Sequence, residues 1–274
     1  MKDIIISESI IRKALRQSIN EMMDEDRTEL PNGVVEVDNF ENLRELMKWE
    51  KPGDTVYFVQ IAKRDKDNPG QHSRHNAAEY LENYFITDMA QFNSLEQEIK
   101  NTSEKEVARA MIFLNPRSKA VIDKYTSNYL RKVRGDKKIA AAIAAGRSFE
   151  DVTEGPTRSI CFVDIDSDDQ NIINKAMRII QNAGIKPLFA YRTLNNGIHI
   201  ILPDVKEAKK LDFSPINGNM AGLGRRARMN AIVSLEIDKA TLLYAKLVPQ
   251  GYTKQQAYFN SQKAAVKNNN RKRP

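Results

Sequence analysis

The sequence predicts an α+β protein of two units, an N-terminal α/β unit joined to a C-terminal β-α-β-β unit. Three observations carry that prediction. Over the first half, runs rich in β-branched and aromatic residues alternate with helical runs. From Ser159 to Pro203 an apolar strand, a helix of 3.6-residue period and two further strands follow in order. Asn195-Asn196-Gly197 separates the last two strands, and Asn-Gly is a hairpin signal.

The chain has 274 residues, enough for one large domain or two small ones, with an ordinary apolar fraction that argues against wholesale disorder. Its formal charge of +7 suits a polyanionic partner such as nucleic acid. The single cysteine, Cys161, excludes a disulfide framework and a cysteine-based zinc site. Sitting in an apolar run, it reads as a buried thiol in a reducing compartment. No stretch has the apolar length needed to span a bilayer, and Met1-Lys2-Asp3-Ile4-Ile5-Ile6-Ser7-Glu8 has too short an apolar run for a signal peptide. The expectation is a cytoplasmic protein with no membrane partner and no internal repeat.

Residues 1–29 read as an N-terminal helix, with Ile10, Ile11, Ala14, Leu15, Ile19 and Met22 on one face and Ser7 or Ser9 as cap. Residues 30–150 form the α/β unit. A short helix runs from about Phe40 to Trp49, and Thr55 to Lys63 reads as a buried strand. In the charged loop that follows, His72 and His75 stand three apart. They can share a metal, but no third ligand stands nearby, and surface histidines are the plainer reading. Helices are predicted over about 76–84 and 92–103, then a strand from Val107 to Leu114. Pro116 is expected to open the next helix as its first residue. That helix ends in Arg131, Lys132 and Arg134, cations that suit a helix C-terminus or phosphate contacts. Ile139 to Ala145 is helical, with Gly146 as its stop.

Residues 151–252 form the second unit. Ser159 to Asp164 is a strand. Asp168 or Asp169 caps a helix that Gly184 ends, with Ile172, Ile173, Ala176, Met177 and Ile180 inward. Lys186 to Thr193 and Ile198 to Leu202 are the hairpin strands. Residues 204–230 are irregular and carry Arg225, Arg226 and Arg228. Ala231 to Asp238 alternates as a strand does, although a helix running on into Leu242 and Leu243 competes. The tail, residues 253–274, is basic, asparagine-rich toward its end, and predicted disordered.

Asp164 and Asp166 alternate along a strand and therefore point the same way. Two adjacent carboxylates repel unless a cation lies between them. Mg²⁺ commonly takes one or two carboxylates together with substrate phosphates, and paired ions clamp the oxygens of a phosphoryl or nucleotidyl transfer. Aspartates also form turns and caps at strand ends, so the pair alone is a weak signal. His199 heads the strand after the turn. Whether the loop is Asn195-Asn196 or Asn196-Gly197, Arg192 comes out on the face of His199, giving two donors to grip a triphosphate.

These residues resemble the archaeo-eukaryotic primase superfamily, the primase-polymerases. An apolar strand ending in Asp-x-Asp is similar to Cys161 to Asp166, and small-x-His is similar to Gly197-Ile198-His199. The run from Thr193 to Pro203 is similar to that of polymerase members. A third motif, an apolar residue followed by Asp, is best matched by Ile237-Asp238. The resemblance is specific over roughly residues 159–203, weak near 238 and topological before 150.

The resemblance implies a catalytic core in which the second unit is RRM-like. Asp164, Asp166 and Asp238 would hold Mg²⁺ or Mn²⁺, with Glu236 as a competitor for the third place. His199, with Arg192, Thr193 and Asn195, would bind the nucleotide. Arg131, Lys132, Arg134, Arg225, Arg226 and Arg228 would contact DNA. The implied function is a metal-dependent nucleotidyltransferase of DNA replication or repair. It would use nucleoside triphosphates on a DNA template, with a helicase or other replication protein as a candidate partner. Two alternatives stand beside it. One is an inactive relative that binds nucleic acid. The other is a phosphatase of the haloacid dehalogenase type, which leaves His199 without a role.

Overall fold

In a computed structural model, residues 27–30, 33–49, 54–64, 67–68, 78–147, 160–217 and 231–248 are described. In chain order they form β1 (Arg27–Glu29), β2 (Val35–Asp38), α1 (Phe40–Leu46), β3 (Thr55–Arg64), β4 (Ala78–Ile86) and α2 (Met89–Lys105). Next come β5 (Arg109–Phe113), β6 (Arg117–Ser118), α3 (Lys119–Leu130) and α4 (Lys137–Arg147). The remainder is β7 (Cys161–Ile165), α5 (Gln170–Asn182), β8 (Phe189–Arg192), β9 (Ile198–Leu202), α6 (Val205–Ala208), α7 (Ser214–Asn217), β10 (Val233–Ile237) and β11 (Ala240–Leu247). The fold is α+β with antiparallel sheets. No described helix is long and apolar enough to cross a membrane. Residues 1–26 of the expected N-terminal helix, the connector beyond Arg147, the arginine cluster at 225–228, His72, His75 and the basic tail lie outside the described residues, and residues 27–29, expected at the end of that helix, are strand β1.

The larger sheet has the order β1-β2-β11-β5-β3-β4, with β6 paired to β3. The smaller has the order β10-β7-β9-β8. Within the smaller unit the chain runs β7-α5-β8-β9, then two short helices, then β10. Asp169 caps α5 by accepting from the Asn171 amide at 2.8 Å, and Gly184, at φ +72°, ends it. Ile173, Ala176, Met177 and Ile180 recur at helical spacing and are buried against Val163, Ile165, Ala190, Ile198 and Ile200 of the sheet. The opposite face of that sheet carries Phe162, Phe189, Tyr191 and Ile201, which belong to one buried cluster with residues of the larger sheet, Leu242 among them. The small sheet is therefore covered on both faces.

Four expectations are corrected. The segment expected as a helix over 76–84 is the edge strand β4, paired with β3 from Tyr57↔Ile86 to Arg64↔Ala78. Its aromatic residues fit a pleated surface, and this pairing overrides the helix preference of Ala78, Glu79, Leu81 and Glu82. Pro116 does not open a helix: β6 intervenes, and the Ser118 hydroxyl accepts from the Val121 amide to start α3. Gly146 does not stop α4, which runs to Arg147. Finally, β11, which falls within the span expected for the second unit (151–252), is an interior strand of the larger sheet, so the chain leaves the smaller sheet after β10. The strand reading of 231–238 holds, and the competing helix into Leu243 does not form.

A buried knot ties the sheets where the chain crosses between them. Arg117 is fully buried. Its guanidinium donates to the carbonyls of Ala145 (3.0 Å) and Asn115 (3.1 Å), pairs with the Asp238 carboxylate, and lies over the Phe113 ring. Asn115 bonds both backbone groups of Ile160, at 2.8 and 2.7 Å, as a neighbouring strand would. Asp238 adopts φ +52° between β10 and β11. Burial pushes its carboxyl up to about 6, against the opposite pull of Arg117 and Asn115. A carboxyl raised above its ordinary value near 3.9 adds stability that is full below about pH 4 and is lost as pH rises through about 6. The stability difference between wild type and Asp238→Asn, measured by urea unfolding at several pH values, should move against wild type over that window. A pH-independent difference would contradict the assignment.

Candidate nucleotide-phosphate site

Strand pairing assembles the site. Asp164 lies directly opposite His199 in the β7–β9 ladder, and Tyr191 lies opposite His199 in the β8–β9 ladder. Residues paired across a ladder share a face, and here it is the face of Phe162, turned toward the larger sheet. The Asp166 amide donates to the Ile232 carbonyl at 2.8 Å, which continues the β7–β10 pairing past Ile165. Asp166 thus falls on the face of Asp164, as the alternation predicts. Asp164 and His199 are half-buried, with side chains 16% and 15% exposed, and His199 Nε2 stands 3.4 Å from Asp164 Oδ1.

The other side of the imidazole is held from both sheets. His199 Nδ1 lies 2.7 Å from the Tyr191 hydroxyl and 3.1 Å from the Thr241 hydroxyl, and those two hydroxyls are 2.6 Å apart. Thr241 belongs to β11 of the larger sheet. The Leu242 amide donates to the Tyr191 oxygen at 3.1 Å. Burial pushes the Tyr191 phenol well above its ordinary range, so it stays a hydroxyl and donates. The tautomer in which Nδ1 accepts from one of these hydroxyls carries the ring proton on Nε2, on the side of Asp164. Phe162 stacks on the ring at 4.5 Å between centroids. The imidazole is thereby fixed in position.

Gly197 is set by close approach. A Cβ there would stand 2.7 Å from the Ile165 carbonyl oxygen and 3.6 Å from the Asp166 Cα. The hairpin turn must press against the end of β7 to bring His199 level with Asp164.

The remaining predicted residues divide. Arg192 does not join His199. It pairs with Ile198, on the α5 side of the sheet. The Thr193 amide donates to the Gly197 carbonyl at 2.7 Å, and five residues, 193–197, separate the Arg192↔Ile198 pair. A loop of even length was expected; the odd one shifts the register by one and turns Arg192 to the other face. Thr193 and Asn195 lie half-buried in this turn.

Asp238 is not brought to the pair either. Ser234 lies opposite Asp164 and Ile237 opposite Cys161, so Asp238 lies beyond the far end of β7, about 13 Å along the strand at ordinary rise. It is engaged with Arg117. Glu236, opposite Phe162, does share the face of Asp164, but one diagonal step away and paired with Lys239. Among the described residues no group of three or more His, Cys, Asp or Glu side chains could hold a metal ion. Arg131, Lys132 and Arg134 sit together in the exposed turn after α3, with Lys132 over the Tyr129 ring.

Sequence reasoning missed the larger sheet's contribution. Arg109 pairs with Ala62 across β5 and β3, and Arg64 lies two along from Ala62 on the same face. Arg109 is bound by both oxygens of Asp67, at 2.6 and 2.5 Å. Burial, and then the neighbouring Arg109 charge, lower the Arg64 pKa. A basic residue ending an apolar strand was a visible signal for Arg64; Thr241 had none.

Comparison with protein-family models, curated proteins and solved structures finds no match.

Gly197→Ala should force the turn away from Ile165 and cost about 1–3 kcal/mol, as overpacking does. Urea unfolding measures this. Full stability would mean that the close approach does not position the hairpin.

Proposed function

We propose that this protein is a metal-dependent nucleotidyltransferase of the primase-polymerase type, using nucleoside triphosphates on a DNA template. The observation that carries the reading is the Asp164↔His199 pairing on the inner face of the smaller sheet. Its strand order β10-β7-β9-β8 with α5 between β7 and β8 supports an RRM-like unit, as the resemblance implies. Asp164 and Asp166 suit Mg²⁺ or Mn²⁺ in the form that takes most of its ligands from water and substrate phosphates. Such an ion would polarise the reacting phosphate. The chain's own residues orient the substrate: His199 presents Nε2–H, held by Tyr191 and Thr241, to a phosphate oxygen. The exposed turn with Arg131, Lys132 and Arg134 offers positive charge to a DNA backbone. A helicase or other replication protein is a further candidate partner, and a cytoplasmic location follows from the same reading.

A second reading, a non-catalytic nucleic-acid-binding protein of the same fold, is favoured by one observation. Asp238 is committed to Arg117, so no third carboxylate completes the pair among the described residues.

Strand synthesis from nucleoside triphosphates on single-stranded DNA, with Mg²⁺ or Mn²⁺, separates the two. Asp164→Asn/Asp166→Asn should lose about 10²-fold or more in rate, the scale of removing one electrostatic contact to the transition state. Equal rates in both proteins, or no synthesis with salt-sensitive DNA binding intact in both, would defeat the catalytic reading.

A further inference from the structure

We infer that Asn39, between β2 and α1, is a positioning residue for His199 and acts from the larger sheet by holding a bulge in β11. The inference rests on the reading of His199 as the group that meets a phosphate, and it assigns a residue that the motifs do not contain.

The bulge decides the side on which Thr241 emerges. In the β11–β5 ladder Thr241 pairs with Ile112, Leu242 with Met111 and Tyr244 with Ala110, and the register shifts between Leu242 and Tyr244. Leu243 is therefore the extra residue. Ile112 and Ala110 alternate along β5 and share a face. Their partners Thr241 and Tyr244 then share a face too, although strict alternation would set them on opposite sides. Straightening β11 would turn the Thr241 hydroxyl away from His199 Nδ1, 3.1 Å from it, and from the Tyr191 hydroxyl, 2.6 Å from it. Bulges beside functional sites re-aim side chains in this way.

An extra residue leaves backbone groups for something else to satisfy. The Asn39 amide donates to the Leu243 carbonyl at 2.9 Å, and its side-chain Nδ2 donates to the Leu242 carbonyl, also at 2.9 Å. The β2–β11 ladder ends at Asp38↔Tyr244, so Asn39 holds β11 just past the last paired residue. The remaining backbone group of Leu242, its amide, donates to the Tyr191 hydroxyl at 3.1 Å. One residue of β11 thus links Asn39 to the Tyr191–Thr241 pair that holds His199 Nδ1.

Asn39 gives up a common role to do this. It is the N-cap of α1, where an asparagine side chain ordinarily accepts from the first helical amides. It makes no such bond, and the Asp38 carboxylate accepts from the Phe40 amide instead. Asn39 is 1% exposed, and its Oδ1 has no hydrogen-bond partner among the described residues. A bare buried acceptor is costly, and the orientation that leaves it bare is the one that aims Nδ2 at Leu242.

The experiment reads the His199 ring by nitrogen-15 NMR in the full chain, with His199→Gln assigning the signals. Thr241→Val removes one hydroxyl from Nδ1 and gives the direction of the shift. Asn39→Ala should move the Nδ1 resonance in that direction. Asn39→Ser keeps a capping residue at the head of α1, should do the same, and serves if the alanine variant does not fold. Leu43→Ala, one turn further on and as deeply buried, should lower the urea midpoint and leave the ring signals in place. Binding of inorganic tripolyphosphate with Mg²⁺ should weaken about 3- to 10-fold in Asn39→Ala, the scale of one hydrogen bond. An Nδ1 resonance that stays in place in the Asn39 variants, or moves as far in Leu43→Ala, overturns the inference. So does a wild type that binds tripolyphosphate no better than Asn39→Ala does. If wild type binds no tripolyphosphate and the Asn39 variants still shift Nδ1, the nucleotide reading fails and the positioning role stands.

Discussion

The fully buried guanidinium of Arg117 holds the two sheets in one relation, and the candidate site depends on that relation. Arg117 joins the end of α4, the Asn115 backbone and the β10–β11 crossing at Asp238. Taking such a pair out of water is costly, and its attraction repays this only when the remaining donors are bonded. Here the backbone carbonyls of Ala145 and Asn115 supply those bonds. Replacing the pair by apolar groups could leave stability similar, but it would remove the direction that the bonds impose on the crossing. The Asn115 bonds to Ile160 set the entry of β7 at the same place. The start of β7 and the end of β10, adjacent strands of the small sheet, are thus pinned to the larger one.

Fixing that relation brings Thr241 to the imidazole. His199 has Tyr191 from its own sheet and Thr241 from the other, so its orientation reports on how the sheets meet. A site split between two sheets can hold a ligand with more than one charged centre. It leaves the chemistry to local pieces: carboxylates from one strand end, a ring nitrogen from its neighbour, a hydroxyl from across the gap. The engagement of Asp238 with Arg117 shows the same residue type turned to structure, where burial and an arginine decide its role.

The sequence was most informative where the fold is local. The run β7-α5-β8-β9 was legible because a strand, an amphipathic helix with both caps, and a turn each carry their own pattern. Asp169, Gly184 and the position of His199 were all read there. Arg192 was misplaced because hairpin faces depend on loop parity, and Asn195-Asn196-Gly197 does not state whether the loop is even or odd. The β4 segment was misread because its pairing with β3 outweighs the helix preference of its alanine, leucine and glutamates. Thr241 and Asn115 act across sheets, and no short window of sequence contains a contact between Arg117 and Asp238, 121 positions apart.

The most direct measurement of the central claim is nitrogen-15 NMR of the His199 ring as a nucleoside triphosphate with Mg²⁺ is added. The chain has three histidines, so a His199→Gln variant assigns the signals. A phosphate between the sheets should shift the Nε2 resonance and leave Nδ1 as the acceptor from Tyr191 or Thr241. Ring signals of His199 that stay in place while the triphosphate shifts resonances elsewhere would contradict the account.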